Sequence, residues 1–555
     1  MTNSDSKTPQ RKSAFTRFLD LVEWLGNLLP HPVTLFAIIC VGVLLLSGVA
    51  GLMEWQVDDP RPEGARGRSA DGVIKAVSLL NAEGFRRITT NLVDNFTGFA
   101  PLGTVLVAML GVGIAETSGL LAAAVRFLVF GALGLVGRLE GVPILGRIFT
   151  PKTFLTAVIV FAAVISNTAS EMGYVVLIPL AAVVFHSVGR HPLAGLAAAF
   201  AGVSGGYSAN VVIGTVDPLL SGITTEAARL IDPAYAPGEI REILPTANLF
   251  FMQASAVLIT LVGTFVTVRI VEPKLGEYDA SNAEEDIEDS AKEMSGLKAE
   301  ERKGLLLAGL ATLALGAVVF LLALPGGWFR DPNVDGPLLK EIRPLLDSVV
   351  ALIFVFFAVP SVIYGRVTGS LENDRDVING MAKAMSSLGL YMVLVFFASQ
   401  FVAFFNWTNL GTITAVTGAD LLIRWELTGP IVFIPFILMC CCVNLMLGSA
   451  SAQWAVTAPI FVPMLMTIGY SPQVIQAAYR IGDSTTNIIT PMMSYFGLIL
   501  AFAMRYDKKL GIGTLISTMI PYSIAYLCGW AVLFYVWVFV LGLPVGPGTP
   551  TLYSP

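Results

Sequence analysis

The stretch of sequence that decides the fold is residues 153–171, TFLTAVIVFAAVISNTASE. Its apolar part, 153–165, has only 13 residues before a polar tip begins at Ser166. A helix needs about 20 apolar residues to cross the hydrocarbon core of a bilayer. We therefore predict a re-entrant hairpin that turns back inside the membrane, within about 153–187, with a return arm at about 172–187.

A second pair of apolar segments has a similar pattern. Segments 431–447 and 452–468 flank Gly448-Ser449-Ala450-Ser451, a tip of small residues without a charge. Both arms are close to spanning length, so length alone also allows an exposed turn between two full spans.

An internal repeat favours the hairpin interpretation of the second pair. An offset of 280 residues pairs Pro179 with Pro459, Gly189 with Gly469, Pro192 with Pro472, Ala197 with Ala477, Ala198 with Ala478, Gly202 with Gly482 and Ser204 with Ser484. A three-residue slip then pairs Asn210 with Asn487. The pattern predicts two duplicated halves with one hairpin each.

The composition of the whole chain is that of a polytopic membrane protein. Of its 555 residues, 55% are hydrophobic and 13% are charged, and the mean hydropathy is +0.73. Ordinary globular proteins have about 25% charged residues. The net charge of −6 comes without a basic stripe, which argues against a nucleic-acid partner and leaves the lipid bilayer as the surroundings.

Outside the hairpins, the apolar segments predict nine transmembrane helices in an all-α fold. They lie near 33–53, 101–121, 193–222, 247–271, 304–324, 345–364, 386–406, 473–505 and 512–541. Five of these lie between the two hairpins, and an odd number of spans inverts the second copy. The result is an inverted-topology repeat, which suits alternating access in a transporter better than it suits a channel.

The same segments divide the chain into regions. We expect an interfacial segment at 1–32, a first half at 33–271, an acidic cytoplasmic linker at 272–303, a second half at 304–541 and a tail at 542–555. Basic residues before the first span place the N-terminus in the cytoplasm. The chain is accordingly predicted to be a multi-pass protein of a bacterial inner membrane.

Several classes of site are disfavoured by the sequence. The five cysteines form no CxxC motif, and no GxxxxGK[ST] or HExxH motif occurs. Ser449 and Ser451 have no His nearby in sequence, so an intramembrane enzyme is a weak alternative. Energy for transport would then come from an ion gradient.

The two tips carry groups that can replace the water shell of a cation. Hydroxyl, amide and carbonyl oxygens at broken helices are typical ligands of Na⁺ in transporters. The candidates are Ser166, Asn167, Thr168 and Asn210 in the first half, and Ser449, Ser451, Asp483 and Asn487 in the second. The alternative is that these side chains only cap broken helices.

Ionisable residues inside apolar segments are costly and usually face a partner or a cavity. Arg480 and Asp483 are three residues apart, so they either neutralise each other on one helix face or serve a substrate carboxylate and an ion or proton. Asp217, Glu171 and Asp483 are candidates for H⁺ coupling. Trp454 follows the second tip and is predicted either to stack on an aromatic substrate or to be anchored in packing.

Four motifs together resemble one family. SNTASE at 166–171, GGYSANVVIGTVDPLLSGI at 205–223, GSASAQWAVTAPIFVPM at 448–464 and AAYRIGDSTTNIITPMM at 477–493 are similar to the AbgT family of p-aminobenzoyl-glutamate transporters. The first tip also resembles, more weakly, that of sodium-coupled dicarboxylate carriers. The resemblance to the AbgT family covers nearly the whole chain.

The resemblance implies a homodimeric inner-membrane transporter with nine spans and two opposed hairpins in each subunit. It also implies that the pathway is lined by Asp217, Ser451, Trp454, Pro472, Arg480, Asp483 and Pro491. The expected activity is ion-coupled secondary transport of p-aminobenzoyl-glutamate or efflux of sulfonamide antimetabolites. The alternatives are a sodium-coupled anion transporter of the dicarboxylate type and a passive channel.

Overall fold

The computed structural model describes residues 30–61, 68, 71–139, 150–169, 173–235, 241–279, 296–331 and 338–554. The predicted interfacial segment lies almost wholly outside these residues, as does the acidic run of the linker. The fold is all-α, as predicted, with one small antiparallel sheet of β1 (Gln56–Asp58) and β2 (Val73–Lys75).

The described part of the first half contains ten α-helices, with the long apolar helices Pro32–Leu52 and Leu249–Val266 near its two ends. Its helices are α1 (Pro32–Leu52), α2 (Ala82–Thr97), α3 (Ala100–Ser118), α4 (Leu120–Leu139), α5 (Pro151–Ser166), α6 (Ile178–Ser187), α7 (Pro192–Phe200), α8 (Val216–Ala228), α9 (Leu249–Val266) and α10 (Glu272–Leu275). Short π-helical segments at Gly173–Leu177, Ala201–Gly205 and Thr267–Val271 adjoin α6, α7 and α9.

The second half has the same order of elements around its hairpin. Its helices are α11 (Ala299–Leu322), α12 (Leu338–Glu341), α13 (Arg343–Asp347), α14 (Val349–Thr368), α15 (Asp374–Ser387), α16 (Gly389–Trp407), α17 (Leu410–Arg424), α18 (Phe433–Leu447), α19 (Ala450–Thr467), α20 (Pro472–Thr486), α21 (Phe496–Met504) and α22 (Ile512–Tyr535).

Each half contains a helical hairpin followed by a broken helix. In the first half α5 and α6 form the hairpin, and α7 is separated from α8 by a break at 206–215. In the second half α18 and α19 form the hairpin, and α20 is separated from α21 by a 3-10 turn and a loop that end at Tyr495. The segments 193–222 and 473–505, each counted as one span from the sequence, are these two broken helices, and the first break overlaps the Gly-rich stretch 204–210 at which the sequence predicts one.

Within the described residues, eight helical stretches are long and apolar enough to cross a membrane. Seven correspond to predicted spans, and the eighth, Pro430–Leu447, is the first arm of the second hairpin. Four of the longer described helices are not among the segments predicted from the sequence: the amphipathic helices α2 and α15, and the helices α4 and α17. The count of nine spans stays a prediction.

The two hairpins have their bases at opposite ends of α9. At one end Arg190, which follows the first hairpin, pairs with Glu272 at 2.7 Å and donates to the carbonyl of Lys152 at 3.1 Å. At the other end Asn248 donates to the carbonyl of Gln473 at 2.8 Å, just after the second hairpin. The helical stretch from Asn248 to Glu272, made of α9, the π-helical segment and the first residue of α10, is about 36 Å long at about 1.5 Å per residue. The hairpins therefore point toward each other from opposite sides.

The apolar packing forms one large core and a layer of helices beside it, and α3 belongs to both. The hairpins, the broken helices, α9 and α22 share the large core. A layer made of α3, α11, α14 and α15 has small clusters of its own, such as Ile114, Ala358 and Leu371. Ile213, in the first helix break, reaches this layer by packing on Ala108, Val349 and Ile353.

Candidate functional site

Both hairpin tips and both helix breaks line a single cavity of about 240 Å³. Asn167 reaches it from the first tip and Tyr207 from the first break. Ser449 and Ser451 reach it from the second tip, and Asn487 from the second broken helix. Residues that are far apart in the sequence thus meet in one cavity. This cavity lies at the tips of the hairpins, away from both of their bases.

The first tip presents acceptor oxygens that have no donor. Asn167 donates through Nδ2 to the carbonyl of Gly206 at 3.2 Å, while its Oδ1 is buried without a hydrogen-bond partner. The hydroxyl of Thr168 is likewise buried and unpartnered. The hydroxyl of Ser166 donates to the carbonyl of Ala163 at 2.7 Å, as expected for a helix cap.

Asn210 closes the first site from the break. With its amide oriented so that both contacts are satisfied, Asn210 donates to the carbonyls of Val164 and Ala209 at 3.2 Å. Val164 lies in the last turn of α5, so Asn210 adds a second donor to a carbonyl that also accepts the backbone N–H of Asn167 at the end of the hairpin arm.

The second tip is built around a left-handed glycine. Gly448 has φ +52°, and a Cβ at this position would lie 2.8 Å from the carbonyl oxygen of Met492. The turn is therefore pressed against the second helix break, and only glycine fits there without strain. Ser449 and Ser451 follow, with their hydroxyl oxygens 3.4 Å apart.

Asn444 is a site residue that the sequence analysis missed. Its Nδ2 donates to the carbonyl of Asp483 at 2.5 Å and to Oδ1 of Asn487 at 2.8 Å. The slip that pairs Asn210 with Asn487 also pairs Asn167 with Asn444, since both offsets are 277 residues. In each half the asparagine of the hairpin arm thus donates to a carbonyl of the broken helix, and the repeat could have identified Asn444.

Arg480 is bound by Asp217, 263 residues away in sequence. Its Nη2 lies 2.6 Å from Oδ1 of Asp217, and its Nε donates to Oδ1 of Asn248 at 3.0 Å. Its Nη1 is buried without a partner. Asp217 also accepts a hydrogen bond from the backbone N–H of Gly214 at 2.6 Å, which fixes the end of the first break.

Asp483 is buried in a different way. Its side chain is fully buried, and neither carboxylate oxygen has a hydrogen-bond partner. The pairing with Arg480 that helix spacing allows is not observed, because the guanidinium turns to Asp217. A buried carboxylate without a donor is expensive, and such groups usually serve an ion or a proton.

Trp454 is anchored in packing and does not line the cavity. Its indole N–H donates to the hydroxyl of Thr224 at 2.8 Å, and its ring stacks on Tyr479 with centroids 4.2 Å apart. Of the two interpretations of this residue, the packed one describes its position in this structure.

The remaining predicted positions lie at different depths. Pro472 is the first residue of α20 and lies at the base of the second hairpin, where the preceding Ser471 donates to the carbonyl of Pro550. Pro491 lies in the turn after the 3-10 segment, next to the residues that contact Gly448. Glu171 lies outside the described residues.

Among the described residues, the side chains at the site offer oxygen atoms rather than the nitrogen and sulfur ligands that transition metals prefer. In the described parts of the chain, no group of three or more His, Cys, Asp or Glu side chains is placed to hold a metal. The unpartnered acceptors are instead Asn167 Oδ1, Thr168 Oγ1, Asn444 Oδ1 and the oxygens of Asp483. Neutral oxygens with one carboxylate fit a hard monovalent cation.

Two helix N-termini also face the cavity. α19 begins at the second tip and α8 begins beside Thr215, and residues of both first turns line the cavity. Free N–H groups at the start of a helix attract anions. The arrangement as a whole is that of a polytopic membrane transporter, with two opposed hairpins whose tips meet at a central polar cavity.

The chain belongs to the AbgT putative transporter family, whose model matches residues 17–553. It is 34% identical over 529 residues to the p-aminobenzoyl-glutamate transport protein of Escherichia coli (strain K12), and the match covers 95% of each chain. The resemblance of the four sequence motifs is thereby confirmed, and the protein is a transporter rather than an enzyme.

Two solved structures are similar over nearly their whole length. MtrF of Neisseria gonorrhoeae, described within a class of antimetabolite efflux pumps, is 56% identical with a TM-score of 0.86, over 96% of this chain and 100% of MtrF. The YdaH transporter of Alcanivorax borkumensis, described as having an unusual topology, is 42% identical with a TM-score of 0.80, over 93% of this chain and 100% of YdaH.

Proposed function

We propose that this chain is an ion-coupled secondary transporter of p-aminobenzoyl-glutamate and related p-aminobenzoate-like compounds, including sulfonamide antimetabolites. The observation that carries the proposal is the shared cavity, which brings both hairpin tips, both helix breaks, the unpartnered Oδ1 of Asn167 and two helix N-termini to one place. The named substrate of the Escherichia coli relative and the efflux role of MtrF support the substrate class.

The coupling ion in this proposal is Na⁺, bound near the tips. Asn167 and Thr168 with Asn210 form the first candidate site, and Asn444, Asp483 and Asn487 form the second. The unpartnered oxygens of Asp483 support the second site most strongly, because a cation would compensate their charge. Asp483 is also the described group best placed to exchange a proton, so H⁺ coupling is the alternative that the experiment must separate.

The anionic part of the substrate would bind at the second tip. Ser449 and Ser451 with the N-terminus of α19 offer donors to a carboxylate. Arg480 is paired with Asp217 and does not line the cavity, and its unpartnered Nη1 is the atom that would donate to a substrate oxygen once the site opens toward it.

In this mechanism the hairpin-bearing core moves as one body against the layer of α3, α11, α14 and α15. Substrate and ion bind between the tips, and the movement exposes them to the other side of the membrane. The direction of net transport follows from the imposed gradients and from which state binds the ion more tightly.

Flux of radiolabelled p-aminobenzoyl-glutamate in proteoliposomes, with Na⁺ and pH gradients set independently, tests the proposal. We expect accumulation above equilibrium when the coupling gradient is imposed, and loss of flux in Arg480→Ala and Asp483→Ala. Arg241→Ala is the matched control, because Arg241 also pairs with an aspartate, Asp232 at 2.7 Å, but is partly exposed and away from the cavity.

Two outcomes would contradict the proposal. Flux that only equilibrates under every gradient would indicate a passive channel. Full uptake and efflux in both site variants would remove the site assignment.

The proposal includes a homodimer in the bacterial inner membrane with a cytoplasmic N-terminus. The exposed apolar surface of α11, where Leu306, Leu313 and Phe320 are among the exposed side chains, is available to lipid or to a second copy. Native mass spectrometry from detergent measures the oligomeric state, and reporter fusions at the N-terminus measure its orientation.

A further inference from the structure

Two tyrosine rings stack across the boundary between the two halves of the molecule. Tyr174 is in the π-helical segment at the start of the first hairpin's return arm, and Tyr495 lies just before α21. Their ring centroids are 4.7 Å apart and their planes differ by only 9°. Both residues line the central cavity, so the pair forms an aromatic part of its wall.

Tyr174 is the repeat counterpart of Trp454. The offset of 280 residues that pairs Pro179 with Pro459 also pairs these two aromatic residues, each five positions before its proline. Trp454 stacks on Tyr479 within its own half and does not line the cavity. Tyr174 instead stacks on a residue of the other half and does line the cavity, so it is the aromatic group of this repeat position that a ligand can reach.

The position of Tyr174 is fixed by the residue before it. A Cβ on Gly173 would lie 2.2 Å from the hydroxyl oxygen of Ser166 and 2.9 Å from the methyl groups of Val203. The return arm therefore packs against the first tip at a distance that only glycine allows. π-helical turns of this kind are frequent at functional sites.

The rest of the cavity wall indicates which chemical groups a ligand bound beside these tyrosines would carry. The second tip supplies the hydroxyls of Ser449 and Ser451 with the N-terminus of α19, while Tyr174 and Tyr495 supply flat apolar faces. A ligand that matches this wall has an aromatic ring joined to an anionic group.

We propose that Tyr174 and Tyr495 bind the aromatic ring of the substrate, a role for which Trp454 was the candidate from sequence. This inference rests on the proposed function and names the residues that recognise the benzoyl part of the substrate. Because the rings belong to different halves, a bound ring also contacts both halves at once.

Two ligands that differ only in the ring test this assignment. Benzoyl-glutamate has a π face, and cyclohexanecarbonyl-glutamate has a saturated ring of similar size and the same carboxylates. Binding of each is measured by calorimetry to the purified full-length protein. Since an aromatic pair contributes roughly 0.5–1.5 kcal/mol beyond its area, the wild type should prefer the benzoyl ligand by about 3- to 10-fold.

The variants change this preference in opposite ways. Tyr174→Leu with Tyr495→Leu should bring the ratio of the two affinities close to 1, whereas Tyr174→Phe with Tyr495→Phe should keep it. Tyr235→Leu is the control for loss of a buried tyrosine, because Tyr235 and Tyr174 are each 5% exposed and Tyr235 contacts the ring of Tyr553, at a tilt of 47°, outside the cavity lining. The single variant Tyr495→Leu gives the same comparison with a smaller loss of packing.

The outcomes separate the inference from the proposed function. A wild type that binds neither ligand would overturn both. A wild type that prefers the benzoyl ligand, with the preference unchanged in Tyr174→Leu/Tyr495→Leu, would overturn the inference alone. If the ratio of the two affinities fell equally in Tyr235→Leu, the inference alone would again be overturned, because loss of any buried tyrosine would then lower the ratio.

Discussion

Asp217 and Asp483 are both fully buried, but their surroundings assign them different tasks. Asp217 holds Arg480 at 2.6 Å and accepts the backbone N–H of Gly214, so its charge is compensated within the protein. Asp483 has no partner for either oxygen. A buried carboxylate that accepts no hydrogen bond reduces stability unless a cation or proton binds it, so transport can explain why Asp483 is retained.

Asp483→Asn should therefore separate transport from stability. The amide keeps the shape and removes the unpaired charge, so the midpoint of thermal unfolding in detergent should be unchanged or rise, by a free energy of about 1 kcal/mol. Ion-dependent flux in proteoliposomes should be lost. A variant that unfolds more easily and still couples flux to the ion gradient would contradict this role.

Asp217→Ala should behave in the opposite way. It leaves the guanidinium of Arg480 buried without a counter-charge, which typically costs about 3–5 kcal/mol. The expected result is a clear loss of thermal stability together with loss of flux. The double variant Asp217→Ala/Arg480→Met is the control, since it removes both charges, and it should be more stable than Asp217→Ala alone. A double variant that is less stable by the sum of the two single effects would argue against a coupled pair.

The sequence identified these charged residues but not their pairing. Intramembrane Asp217, Arg480 and Asp483 are conspicuous because charges are rare in apolar segments. Spacing along one helix predicts only neighbours such as Arg480 and Asp483, and a contact over 263 residues depends on how α8 packs on α20. Trp454 shows the same limit, because a sequence does not tell which face of a helix meets Thr224 and which meets the cavity.

At the scale of helices, the two halves use one packing contact twice. A Cβ on Gly202 would lie 2.5 Å from the Cβ of Ala163 and 2.8 Å from the carbonyl oxygen of Val160. A Cβ on Gly482 would lie 2.4 Å from the Cβ of Cys440 and 2.7 Å from the carbonyl oxygen of Ile437. In both halves a glycine lets the broken helix touch the first arm of the hairpin.

The same comparison explains the slip in the sequence repeat. Eight positions separate Gly202 from Asn210, and five separate Gly482 from Asn487. The π-helical segment Ala201–Gly205 lies in the longer interval, so the first break contains the extra residues. The sequence predicted the duplication and both hairpins because apolar length and paired residues are local signals. It predicted 193–222 and 473–505 as spans because the polar residues of a break can also lie inside a continuous helix.

Gly482→Ala tests this contact between helices. Because the added methyl group meets backbone and a packed side chain, we expect a loss of about 1–3 kcal/mol in stability and reduced flux. Gly202→Ala should have a similar effect, since it makes the equivalent contact. Gly497→Ala in α21 is the control, because its Cβ would meet nothing within 4 Å and alanine favours a helix by about 1 kcal/mol. Thermal unfolding in detergent measures all three, and a stability of Gly482→Ala equal to that of Gly497→Ala would contradict the model of close packing.

At the scale of the whole molecule, the contacts divide the protein into a body that holds the site and a layer beside it. The two broken helices are joined directly, since the backbone N–H of Ser208 donates to the hydroxyl of Ser484 at 3.1 Å and the hydroxyl of Ser204 contacts the sulfur of Met493 at 3.1 Å. Two other contacts join the body to the layer: Ile213 packs on the cluster of Ala108, Val349 and Ile353, and α3 packs on α8. If the body moves as one unit, the first set of contacts persists through the cycle and the second set must change.

Reversible disulfides distinguish these two kinds of contact. In a background without the five native cysteines, the pair Ile213→Cys/Val349→Cys should stop flux when oxidised, because it ties the moving body to the layer, and reduction should restore the flux. The pair Ser208→Cys/Ser484→Cys joins two parts of the same body, so most of its flux should survive oxidation. Flux of labelled substrate before oxidation, after oxidation and after reduction measures both, with the extent of cross-linking read by mass spectrometry. The opposite result would be loss of flux on oxidation of Ser208→Cys/Ser484→Cys together with continued flux in oxidised Ile213→Cys/Val349→Cys. In that case the two halves of the site would move against each other, and the transport step would lie between the hairpins.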